Sequence, residues 1–158
     1  MDNIGSFSLK YKHMQFITII SLLLLCIGCA STKNSASDSY RMTLNKLNGN
    51  WIPIKQEIGG RILPTVAFEN QRLILKDSSY TFIAESIDKG LVKFSEDKMD
   101  VYGKEGVNAG KHFTAIYKIE NELLTICYNL SGDPYPETFE TKSKPTLFLS
   151  IFKKEINK

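Results

Sequence analysis

Apolar and polar positions follow two different patterns along this 158-residue chain. From 16 to 27 nearly every position is apolar. From 44 onward, short runs of β-branched and aromatic residues recur, broken by turn residues about every ten positions. These runs predict strands at 51–57, 72–76, 80–86, 91–94, 99–102, 112–119, 123–128 and 147–153. The clearest hairpin joins 112–119 to 123–128 through Glu120-Asn121-Glu122. Asp77-Ser78-Ser79, Asp88-Lys89-Gly90 and Glu96-Asp97-Lys98 read as turns, and 103–111 as a long polar loop. Residues 61–70 have no clear period and are expected to hold a short helix or a flap. No stretch keeps a 3.6-residue period beyond a turn or two. Eight to ten short strands at hairpin spacing predict an all-β domain, an antiparallel barrel or sandwich.

The apolar run changes the picture of where this domain works. Lys10, Lys12 and His13 precede it, and it is too short to cross about 30 Å of hydrocarbon, which takes roughly 20 residues. It fits instead the charged and apolar regions of an export signal. The run ends Leu25-Cys26-Ile27-Gly28-Cys29, which resembles the bacterial lipobox, with Cys26 where leucine is commonest. That resemblance implies cleavage of 1–28 and a lipidated Cys29 as first mature residue. An ordinary signal with an incidental cysteine, or an uncleaved anchor, are the alternatives. Two or three acyl chains at about 0.8 kcal/mol per buried methylene would make the attachment permanent. A start at Met14 would discard Lys10 and Lys12, so an upstream start suits the leader better.

Residues 29–43 hold many Ser, Thr, Asn and Asp and few large apolar side chains, so they are expected to form a flexible tether after the signal helix. Residues 44–158 then make one domain. The net charge is +3, and loss of Lys10, Lys12 and Asp2 takes it to about +2. That is too mild for a nucleic-acid partner, which needs a concentrated basic face. With Cys26 removed and Cys29 acylated, Cys127 is the one free thiol and no internal disulfide can form. A monomer standing on its hydrophobic core is expected. Ala30, rather than aspartate, after Cys29 favours the outer membrane over the inner, with the domain facing the periplasm or exterior.

Gly49 and Trp51 open the first strand with Gly-x-Trp, a pattern lipocalins use to close one barrel end. Gly60 with Leu63-Pro64, Leu73, Tyr80-Thr81, Gly106, Gly110, Ile116-Tyr117, the run Leu123 to Tyr128, Pro136 and Phe139 follow in order. In these residues the chain resembles a family of bacterial lipocalin-like domains of unknown function. The resemblance implies an up-and-down barrel, brings no cofactor, and makes Gly49 and Trp51 a structural plug. An eight-stranded barrel is either filled by side chains or wide enough for one small ligand.

Tyr80, Phe82, Phe94, Tyr102, Tyr117, Tyr128 and Phe148 are the candidate lining of such a cavity; packed core is the competing account. Cys127 has no basic neighbour in sequence to activate it. His112 lacks companions for a zinc site, so no metal is expected. Glu96, Asp97 and Asp100 read as a solvated hairpin turn without an EF-hand pattern. No nucleophile, base and oxyanion donors assemble, so no enzyme is expected. A membrane-anchored binder of a small apolar or amphipathic molecule, or a solid barrel that meets an envelope partner, are the two functions expected.

Overall fold

The structure, a computed structural model, describes residues 32–156. The leader and Cys29 lie outside the described residues. Two compact units meet between Met42 and Thr43. Helix α1 (Thr32–Leu47) occupies the stretch read above as tether, and its last turn belongs to the second unit. Leu47 is fully buried there and Leu44 packs on the core.

The second unit is all-β. Its strands are β1 (Gly49–Ile58), β2 (Arg61–Ile62), β3 (Arg72–Lys76), β4 (Ser79–Ile83), β5 (Ile87–Ser95), β6 (Lys98–Glu105), β7 (His112–Glu120), β8 (Leu123–Asn129) and β9 (Leu147–Lys154). Each of β3 to β8 pairs antiparallel with the next, and β1 pairs with both β3 and β9. Eight strands therefore close into an up-and-down barrel, and β2 is an extra short strand folded back on the end of β1. Closure runs from Trp51 opposite Lys154 to Ile58 opposite Phe148, with a bulge between Pro53 and Lys55. Pro53 lies beyond Trp51, the last residue of β1 paired to β3, so its missing N–H interrupts no ladder on that side.

The two barrel ends differ. At one end, β3–β4, β5–β6 and β7–β8 are joined by two-residue turns. Asp77, Glu96, Asn121 and Glu122 take positive φ there, as tight hairpins between right-twisted strands require. This end is plugged by Trp51, whose indole N–H donates to the Leu47 carbonyl at 2.7 Å and whose ring lies under the Lys154 ammonium. The opposite end carries the longer connections 59–71, 106–111 and 130–146.

Strand β5 shows why the residues form a barrel. Asp88, Gly90, Val92 and Phe94 are buried while Ile87, Lys89, Leu91, Lys93 and Ser95 are exposed, a strict period of two. The strand therefore includes Asp88-Lys89-Gly90, which reads as turn chemistry; the actual turn is 84–86. Gly90 is present for space rather than for a turn. A Cβ there would sit 2.0 Å from the Tyr102 carbonyl oxygen and 2.6 Å from the Tyr80 ring. The main core contains Trp51, Leu73, Tyr80, Val92, Met99, Leu124, Ile126 and Phe152 inside the barrel. A second, smaller core of Ile116, Cys127, Leu147 and Leu149 lies on the outer face, with Phe139 packed against it. Segment 130–146 is held over β7 and β8 by the Thr114 hydroxyl, which donates to the Gly132 carbonyl, and by Asn129 Nδ2, which donates to the Pro134 carbonyl at 2.8 Å.

Candidate functional site: a cavity under the barrel mouth

Inward positions of β1 and β3–β9 enclose a cavity of about 170 Å³ below the open end. Its wall is mainly Leu73, Leu75, Phe82, Val92, Met99, Val101, Phe113, Ile126, Phe148 and Phe152. Gly90 and Gly103 stand at inward positions but leave no hole there, since protein atoms already fill the place of each missing side chain. The 106–111 segment folds back at this point: a Cβ on Gly103 would meet the Asn108 carbonyl oxygen at 1.8 Å.

Five polar side chains interrupt the apolar wall: Gln56, Tyr80, Asp88, Asn108 and Tyr128. Asp88, only 4% exposed, accepts from the Asn108 backbone N–H at 3.1 Å and from its side-chain amide at 2.9 Å. These bonds tie the 106–111 segment to β5. Gln56 donates to Gln71 at 2.7 Å and so ties the 59–71 connection to β1. Burial raises the Tyr80 phenol, and the Asp88 carboxylate nearby raises it further. Burial raises Tyr128 in the same direction, with Tyr80 adding to it. Neither phenol hydroxyl has a hydrogen-bond partner among the described residues. Ser150 is fully buried, paired across strands with Gln56 and Ile126, and its hydroxyl is also without a partner. Ile62, Val66, Ile87, Val107 and Leu130 are exposed on the elements of this end, and give it an apolar rim.

Of the aromatic residues that the sequence singles out, Tyr80, Phe82, Tyr128 and Phe148 come together on the cavity wall. Tyr128 and Phe148 stack across β8 and β9 with centroids 6.0 Å apart. Phe94 and Tyr117 are buried nearer the plugged end as an edge-to-face pair, and the Tyr117 hydroxyl donates to the Glu96 carbonyl. Tyr102 is on the outer face and stacks on His112 at 4.6 Å. The reason is register: Met99, Val101 and Gly103 face inward on β6, which turns Tyr102 out. Asp88, Gln56 and Asn108 are the polar lining residues that sequence reasoning missed, along with the aliphatic wall and Phe113 and Phe152. Carrying the period of two back from Phe94 through Val92 and Gly90 would have placed Asp88 inside; the turn-like Asp-Lys-Gly hid it.

The other chemistry-bearing residues assemble elsewhere. Asp100 binds His112 Nε2 at 2.8 Å and accepts from the Tyr135 hydroxyl at 2.8 Å. That bond is the main reason the Tyr135 phenol is pushed up to about 12. The cluster pins 131–136 to the outer face of β6 and β7. Glu96 and Asp97 form the β5–β6 turn. Burial pushes the Cys127 thiol up to about 11, the protonated and unreactive direction; Lys144 opposes the shift and Glu57 adds to it. No group of three His, Cys, Asp or Glu among the described residues could hold a metal ion. No helix among them is long and apolar enough to cross a membrane.

Fold and site together define a closed, eight-stranded antiparallel barrel with one end plugged and a small cavity beneath the other, an architecture compatible with a lipocalin-like barrel. No family model, no curated protein and no solved structure matches the chain.

Proposed function

We propose that this chain is a lipid-anchored protein of the bacterial cell envelope whose lipocalin-like barrel holds one small apolar or amphipathic molecule. The observation that carries this reading is the cavity of about 170 Å³ with its mainly apolar wall. An apolar cavity of about 150 Å³ is enough to hold benzene, whereas sites for drug-sized ligands run from about 300 Å³. The ligand body is therefore about the size of one benzene ring or a short alkyl chain, and a whole phospholipid tail is too large. The envelope location and the lipid anchor rest on the charged, apolar leader ending at Cys29 and on Ala30 after it, which favours the outer membrane.

Titration of the full chain with 1-hexanol, followed by amide NMR, tests the binding reading. Saturable shifts at Leu73, Val101 and Ile126 are expected, and Val92→Phe should abolish them by filling the space. Shifts that do not saturate, or that persist in Val92→Phe, would overturn it. The exposed rim of Ile62, Val66, Ile87, Val107 and Leu130 favours a second reading, in which the mouth itself meets an envelope partner. Failure of the titration would leave that reading standing.

A further inference from the structure

Asp88 is a carboxylate in a place where charge is costly. It is nearly fully buried, at an inward position of β5, on the wall of a mainly apolar cavity. Its two hydrogen bonds, both from Asn108, occupy one acceptor site on each oxygen. They come from neutral donors, so they leave the charge itself without a counter-ion. Among the described residues no ammonium or guanidinium lies within ion-pair distance of Asp88. Neighbouring Lys89 points outward to Glu105, and the Lys111 ammonium reaches Asn108 Oδ1 at 3.2 Å. Buried carboxylates are ordinarily paired.

Two further polar groups line the same cavity. Tyr80, 7% exposed, sits directly across β4–β5 from Gly90, two residues from Asp88, and its hydroxyl has no partner. Tyr128 lines the opposite part of the wall and its hydroxyl is likewise without a partner. One carboxylate and two hydroxyls offer three acceptors around an apolar chamber. A primary ammonium has three N–H donors and the missing positive charge.

We infer that the cavity selects an organic ammonium ion: a small apolar body inside the barrel with its –NH₃⁺ group against Asp88, Tyr80 and Tyr128. The inference rests on the proposed ligand-binding role and assigns the chemical class of the ligand. Charge-assisted hydrogen bonds in a desolvated site are about twice as strong as neutral ones, so the cation should dominate selectivity.

Three probes with the same six-carbon chain separate the outcomes: hexylammonium, 1-hexanol and hexanoate, each titrated into the full chain at neutral pH and fixed ionic strength. Hexylammonium should bind at least about tenfold more tightly than 1-hexanol, and hexanoate should not bind. Asp88→Asn should bring the amine and the alcohol to within about threefold of each other, with a melting measurement to show the barrel intact. If that variant does not fold, the ¹³C shift of the wild-type Asp88 carboxyl carbon replaces it, and should move with hexylammonium and not with 1-hexanol. Binding of 1-hexanol as tight as the amine, or preference for hexanoate, would overturn the ammonium assignment and leave the binding role intact. No binding by any of the three would overturn both.

Discussion

Trp51 and Gly90 illustrate two opposite demands on single residues. Trp51 is 1% exposed, fills the plugged end and satisfies its own N–H on the Leu47 carbonyl. Removing it opens a large hole and frees the last turn of α1. Trp51→Ala is expected to cost about 3–5 kcal/mol of stability, read from urea unfolding. A loss under about 1 kcal/mol would show that the plug is dispensable. Gly90 contributes by lacking a side chain: the Tyr80 ring and the Tyr102 carbonyl occupy the space a Cβ would need. A filled position there would push the Tyr80 ring toward the space a ligand requires. Cys127, by contrast, packs in the outer core, where burial pushes its thiol up to about 11.

At the scale of elements, the long connections of the mouth are not loose. Segment 138–146 is fastened to β1 through Thr141, whose hydroxyl donates to Glu57 while accepting from the Gly60 backbone N–H at 2.9 Å. The Thr141 bond, then the contact with Lys55, lowers the Glu57 carboxyl below its ordinary value of 4.5. A carboxylate whose folded pKa is lowered stabilises the fold above its unfolded pKa. That contribution is lost as pH falls through the folded value. Glu57→Gln should therefore cost about 1 kcal/mol near pH 6, and the gap to wild type should close as pH falls through the lowered Glu57 value. A gap independent of pH would show that the carboxylate charge plays no part. Elements also explain what could be read from sequence. The hairpin β7–β8 was legible because Asn121-Glu122 is a two-residue turn between strongly β-forming runs. Strand β5 was cut short because Gly90, needed for ring packing, imitates a turn glycine. Tyr102 could not be told from Val101 as lining, since the register of β6 is set by its partners and one step reverses every side chain.

At the scale of the barrel domain, the chain enters at the plugged end through Leu47 and Gly49, while the cavity lies under the other end. If the leader is processed as its residues suggest, Cys29→Ala should move the protein from the membrane fraction to the soluble fraction of a cell lysate. Unchanged membrane attachment would rule out lipidation at Cys29 as the anchor. The approximate count of strands, the antiparallel class and the turns of the plugged end were all determined by the sequence itself, because each depends on neighbours within a few residues. Barrel closure of β1 on β9, the cavity among the inward side chains, and the exposure of Asp88, Tyr80 and Tyr128 to it were decided only in three dimensions. Those features join residues up to a hundred positions apart, and no local period encodes which side chains will share a space or which of them will be left without a partner there.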